Sequence, residues 1–144
     1  MVDVGSKGVT QRVAIAHARV RMQKKTADAL RAATSPKGDA FVAAQIAGIL
    51  AAKKTSDLIP LTHALPLSSV DVAFDWVEPA LLEIEATART SAQTGVEMEA
   101  LTAAAVAALT IYDMTKSLER GIVVESLRLV HKSGGKSGTW NAKP

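Results

Sequence analysis

Two kinds of periodicity alternate along the chain. Residues 12 to 22, "RVAIAHARVRM", step between faces as a strand does, with Val13 and Ile15 on one face and small apolar residues on the other. "TADALRAAT" (26 to 34) and "DAFVAAQIAGILAAKKT" (39 to 55) change to helical spacing. In the second, Phe41, Val42, Ile46, Ile49 and Leu50 recur at helical intervals, Asp39 is placed to cap the N-terminus, and Lys53 and Lys54 suit the negative end of the dipole. "SVDVAFDWV" then alternates with Val70, Val72, Phe74 and Trp76 inward, and "LEIEATART" does the same with Leu82, Ile84, Ala86 and Ala88. The turn at Glu78 and Pro79 joins them as a hairpin. A long helix follows in "TGVEMEALTAAAVAALTIYDMTK" (94 to 116), and "GIVVESLRLVHK" reads as a last strand.

The order βααββαβ predicts an α+β, ferredoxin-like fold, an antiparallel sheet with helices on one face. Residues 1–132 form that single domain, and 133–144 a Gly/Ser/Lys-rich tail. A chain of 144 residues buries roughly 68 to 70% of its unfolded surface and needs no covalent staples.

The long helix breaks the expected pattern. From Ala100 to Tyr112 no residue is charged, although these residues pass more than three times around the axis. A helix lying on a sheet should keep a polar outer face. Its absence predicts a second apolar surface against another subunit, so the chain is expected to oligomerise. An exposed alanine-rich face, which helix propensity alone would support, is the alternative.

Composition narrows the partners. Cysteine is absent, which removes disulfides, thiolate nucleophiles and cysteine-ligated metals. No segment is apolar for long enough to span a membrane, and the first residues lack the apolar core of a signal peptide, so a cytoplasmic protein is expected. Net charge is +3, and aromatic residues make up 3% of the chain. That suits a small anionic ligand and disfavours nucleic acid, since no stacking platform or RNA-binding signature is present.

Candidate chemistry lies at both ends of the long helix. Thr94 and Glu97 fit a capping box, which gives Glu97 a structural role. Glu99 points roughly 200° away around the helix and has no such role. Asp113 and Lys116 continue a stripe of Thr102, Val106 and Leu109, turning it polar where it should stay apolar. They read either as an exposed ion pair or as a carboxylate beside a lysine for proton transfer. Lys37 precedes a helix N-terminus, where free amides and a cation suit a phosphate. His63 sits in the proline-bracketed connection "DLIPLTHALPL", where binding residues often lie. His17 and His131 are scattered elsewhere, so no metal site is expected. "KSGGKSG" imitates a P-loop but has Val130 where the motif needs its first glycine, and no long helix follows; it is either a segment that wraps a phosphate with Lys132 and Lys136 or a disordered basic tail.

Together, "KGD", "AAKKTSDLIPLTH", "TGVEMEALTAAAVAALTIYDMTK" and "KSGGKSG" resemble the MoaC family, the cyclic pyranopterin monophosphate synthases of molybdenum cofactor biosynthesis. The likeness runs from "MVDV" nearly to the last residue. It implies a lyase that rearranges 3′,8-cyclo-7,8-dihydroguanosine 5′-triphosphate and releases pyrophosphate. It further implies a ferredoxin-like fold, a homohexamer built as a trimer of dimers, and active sites where subunits meet. The family's acid/base positions fall on Asp113, Lys37 and Lys116, and its substrate-contacting positions on Leu61, Thr62, His63, Met98, Glu99 and Glu97, with Lys7 and Arg12 at the matching basic positions. No cofactor is implied beyond magnesium carried by the triphosphate. "LTHAL" departs from the family, which usually has a cysteine before the histidine and a proline after it, and the stretch before the first strand is shorter than in many members.

Glu99 and Asp113 lie fourteen residues apart, roughly 21 Å along one helix, so a compact ring cannot touch both. The expectation is therefore a pocket that draws on opposite ends of two antiparallel helices, one from each subunit. The competing expectation is a non-catalytic, oligomeric ferredoxin-like module that binds a metabolite.

Overall fold

In a computed structural model describing all 144 residues, the first strand, β1 (Thr10–Arg21), buries Ala14, Ala16, Ala18 and Val20 completely. Val13 and Ile15 lie on the other face and are only half-buried, beside His17, Arg19 and Arg21. The small residues therefore mark the inside, because the helices sit close over them.

The chain continues through α1 (Lys24–Arg31), α2 (Ala40–Lys53), α3 (Thr55–Leu58), β2 (Leu67–Glu78), β3 (Leu81–Ala92), α4 (Glu97–Thr115), β4 (Val123–Ser133) and β5 (Trp140–Asn141). The strands form one antiparallel sheet in the order β2-β3-β1-β4-β5. Its first four strands have the split βαβ arrangement, and α2 and α4 pack on one face, so the α+β ferredoxin-like expectation holds. The hairpin forms at Pro79 and Ala80, and in β3 Leu82, Ile84, Ala86 and Ala88 all face the core.

Alanine also sets the distance between the helices. In α2 the buried residues are Ala40, Ala44, Gly48, Ala51 and Ala52, while Val42, Ile46 and Leu50 are each about half exposed. The larger aliphatics are thus not the inward stripe. At the crossing, a Cβ on Gly48 would stand 3.0 Å from the Ala103 carbonyl oxygen and 3.1 Å from Val72 Cγ2. Only small side chains permit that approach, so the bulky ones turn outward.

The caps divide. Asp39 Oδ1 accepts from the Phe41 and Val42 amides at 3.0 and 3.1 Å, as its position suggested. The capping box of Thr94 and Glu97 does not form: α4 begins at Glu97, its N-cap is Val96, and no side chain caps it. The tail from Ser133 turns through Gly134, Gly135 and Gly138, all at positive φ, and returns as β5 along the edge of β4. No helix is long and apolar enough to cross a membrane.

Candidate functional site

The N-terminal turn of α4 forms one wall of a cleft of about 400 Å³. Glu97, Met98 and Glu99 face Leu61, Thr62 and His63 from the connection after α3, and Val2, Val4 and Lys7 from the N-terminal segment close the side. Seven residues singled out from the sequence thus meet in one place. Thr62 is fixed there by a turn, its hydroxyl donating to the Ile59 carbonyl at 2.9 Å. Glu99 is only 4% exposed. Burial raises its carboxyl above the ordinary value, its own backbone amide opposes the shift, and the Glu97 charge adds to it. A glutamate held toward its neutral form in a cleft is a candidate for proton exchange or for hydrogen bonding with a ligand.

The other end of α4 carries a three-residue ion cluster. Asp113 receives Lys116 Nζ on Oδ1 at 2.6 Å and Lys37 Nζ on Oδ2 at 2.8 Å. Lys37 also donates to the Asp113 carbonyl at 3.1 Å, serving one of the last unpaired carbonyls of the helix. Its loop is fastened by Ser35 Oγ, which donates to the Met114 carbonyl at 2.9 Å. The Lys37 ammonium therefore points to α4 rather than to the N-terminus of α2, whose first amides Asp39 already occupies. Hydrogen bonds from Lys116 and then Lys37 lower the Asp113 carboxyl to about 2, and Asp113 in turn raises Lys116. All three side chains are about half exposed, so the cluster is open to a ligand.

Arg12 belongs to neither group. It lies in a polar cavity of about 710 Å³ with Ser6, Lys7, Thr10 and, from the returning tail, Lys136 and Ser137. One guanidinium nitrogen donates to the Gln93 carbonyl at 3.3 Å, while Nε is buried without a partner. A Cβ on Gly135 would crowd the guanidinium, with Cζ at 2.6 Å, and its φ of +72° favours glycine where the tail passes over Arg12. Lys132 donates to Ser137 Oγ and helps to shape the loop. Lys7 lines both this cavity and the cleft at Glu97. Three cations around a polar hollow offer what an oligophosphate requires.

Single-residue reasoning missed two features of these sites. One is Gly95, whose place beside the Glu97 carboxylate depends on a side-chain rotamer. The other is the meeting of residues 6 to 12 with 135 to 137, which follows from the pairing of β1 with β4 and from the turn after Ser133. The paired glycines of "KSGGKSG" were the available signal for the second.

Comparisons with known proteins place the chain in one family. A family model described as MoaC matches residues 1–135. The chain is 58% identical over 142 residues to a cyclic pyranopterin monophosphate synthase of Novosphingobium aromaticivorans, covering 99% of this chain and 90% of that protein. It is 54% identical over 142 residues to the protein of that name from Nostoc sp., covering 97% and 84% respectively. A third, from Rhodopirellula baltica, is 50% identical over 150 residues, covering 97% and 86%. Matched from its first residues through the glycines that close over Arg12, the chain belongs to the MoaC family.

Proposed function

We propose that the chain is a cyclic pyranopterin monophosphate synthase, a lyase of molybdenum cofactor biosynthesis that acts on 3′,8-cyclo-7,8-dihydroguanosine 5′-triphosphate and releases pyrophosphate. The observation that carries this reading is the division of the matched residues into two chemically complete halves, one at each end of α4. The cleft of Leu61, Thr62, His63, Glu97, Met98 and Glu99 takes the heterocycle. Lys7 and Arg12, with Lys136 of the tail, take the phosphates, where a ribose oxygen attacks the innermost phosphorus and pyrophosphate leaves. Lys37, Asp113 and Lys116 carry the protons during ring opening and rebuilding. With Asp113 held ionised and Lys116 held protonated, the pair presents a fixed ammonium that can stabilise negative charge developing on substrate, and proton donation requires substrate to loosen the Asp113 contact. The overall change is a rearrangement with elimination and balances without a redox cofactor. Magnesium enters as part of the triphosphate substrate.

The two halves lie roughly 21 Å apart along α4, which supports a site completed by a second chain. The outward aliphatics Val42, Ile46 and Leu50 of α2 and Leu109 of α4 are 50 to 61% exposed and offer the surface for that contact. We assign the assembly as a hexamer built from three dimers, working in the cytoplasm.

Pyrophosphate release from the cyclic nucleotide tests the reading. The parent should turn over, and Lys37→Ala and Lys116→Ala should each lower kcat by about 100-fold or more, as expected for lost proton transfer. Binding without turnover by the parent would point instead to a metabolite-binding module, and unchanged rates in both variants would remove the lysines from the chemistry.

A further inference from the structure

Gly95 stands two residues before α4, in the wall of the cleft. Its backbone does not call for glycine, since the positive-φ glycines are Gly38, Gly134, Gly135 and Gly138. The space beside it is taken by one flexible side chain, in the rotamer Glu97 adopts. A Cβ at position 95 would overlap Glu97 Oε2 and lie 2.7 Å from Glu97 Cδ and 2.8 Å from Oε1. All three nearest atoms belong to one carboxylate, which therefore rests against the bare Cα of Gly95. No ion pair of the chain includes Glu97. The bare Cα of Gly95 leaves open the rotamer in which this carboxylate lies.

We propose that Gly95 is a positioning residue for Glu97: the space left by its missing side chain holds the Glu97 carboxylate against the cleft wall, in the orientation that meets substrate. The proposal rests on the synthase reading, in which Glu97 binds substrate. Glu97 then needs no partner from the protein, which leaves its oxygens available to a ligand. A methyl group at 95 would force the Glu97 side chain to another rotamer and change the distance of its charge from Glu99. The other titratable groups facing this cleft are Lys7 and His63.

The test compares Gly95→Ala in two backgrounds, the parent and Glu97→Ala. Alanine fits the local backbone, so the variant should fold. In the parent background KM for the cyclic nucleotide should rise about tenfold with kcat changed less than about twofold, the mark of lost binding rather than lost chemistry. In the Glu97→Ala background the same substitution should add nothing, because no side chain remains to be displaced. An equal penalty in both backgrounds, or none in the parent, would overturn the proposal. A second readout needs no substrate and stands even if the parent shows no turnover. Carbon-detected NMR titration of the side-chain carboxyls should show the Glu99 midpoint falling in Glu97→Ala and displaced from the parent value in Gly95→Ala, because the Glu97 charge helps to set it. A Glu99 midpoint that moves in Glu97→Ala but not in Gly95→Ala would refute Gly95 as the positioning group. Absence of turnover by the parent would refute only the synthase reading.

Discussion

Asp113 shows what one exposed carboxylate gains from two ammonium groups. Its folded pKa of about 2 lies below the ordinary value of 3.8, so the stability it contributes is fully present above about pH 4 and is lost as pH falls toward 2. In Asp113→Asn that contribution is absent at every pH, and Lys37 and Lys116 are left facing one another. Urea midpoints of parent and variant should therefore differ at pH 7, hold that difference down to about pH 5, and converge between about pH 4 and pH 2. Adding salt to about 1 M should shrink the gap at neutral pH, since the cluster is open to water. A gap that persists at pH 2 would mean that Asp113 acts through packing rather than charge. Glu99 is the opposite case, a carboxylate whose burial costs stability at neutral pH and is retained at the mouth of a cleft.

The helices show where periodicity stops being informative. Both faces of α2 are apolar, so hydrophobic spacing fits Val42, Ile46 and Leu50 as well as it fits Ala40, Ala44, Gly48 and Ala51. What selects the inner face is the approach of α4, visible at Gly48, whose Cα faces the Ala103 carbonyl. Gly48→Val should destabilise the fold by about 1 to 3 kcal/mol in urea unfolding, because overpacking at a backbone contact outweighs the lost flexibility of glycine. A neutral or stabilising result would show that the helices can separate. The strands were easier to read, since Val70 to Trp76 and Leu82 to Ala88 alternate cleanly and one face of the sheet is open to water. The Asp39 cap was legible because its side chain meets local amides. The Thr94–Glu97 box does not form, because α4 starts at Glu97 with Val96 as its N-cap and Thr94 lies outside the cap position.

Across the whole molecule, the sequence named candidate site residues but not how they divide. The seven cleft residues converge within one chain, whereas Lys37, Asp113 and Lys116 converge elsewhere, and no spacing rule distinguishes the two groups. If two chains complete each site, inactive Glu99→Gln and Asp113→Asn proteins, mixed and allowed to exchange subunits, should recover about a quarter of parental activity, because half the dimers are mixed and each has one intact site. No recovery despite subunit exchange, followed by mass spectrometry, would place both halves on one chain.

The position of these two groups on α4 also bears on how the chain can vary through evolution. One inserted or deleted residue between Ala100 and Tyr112 would swing Asp113 by about 100° relative to Glu99 and shift it by about 1.5 Å. The cleft residues and the ion cluster would be misaligned with one another by that single event. Length changes within α4 are thus closed to descendants of this gene even where alanine-for-alanine drift is free, whereas the glycine turn after Ser133 can tolerate a change in length only so far as it still closes over Arg12.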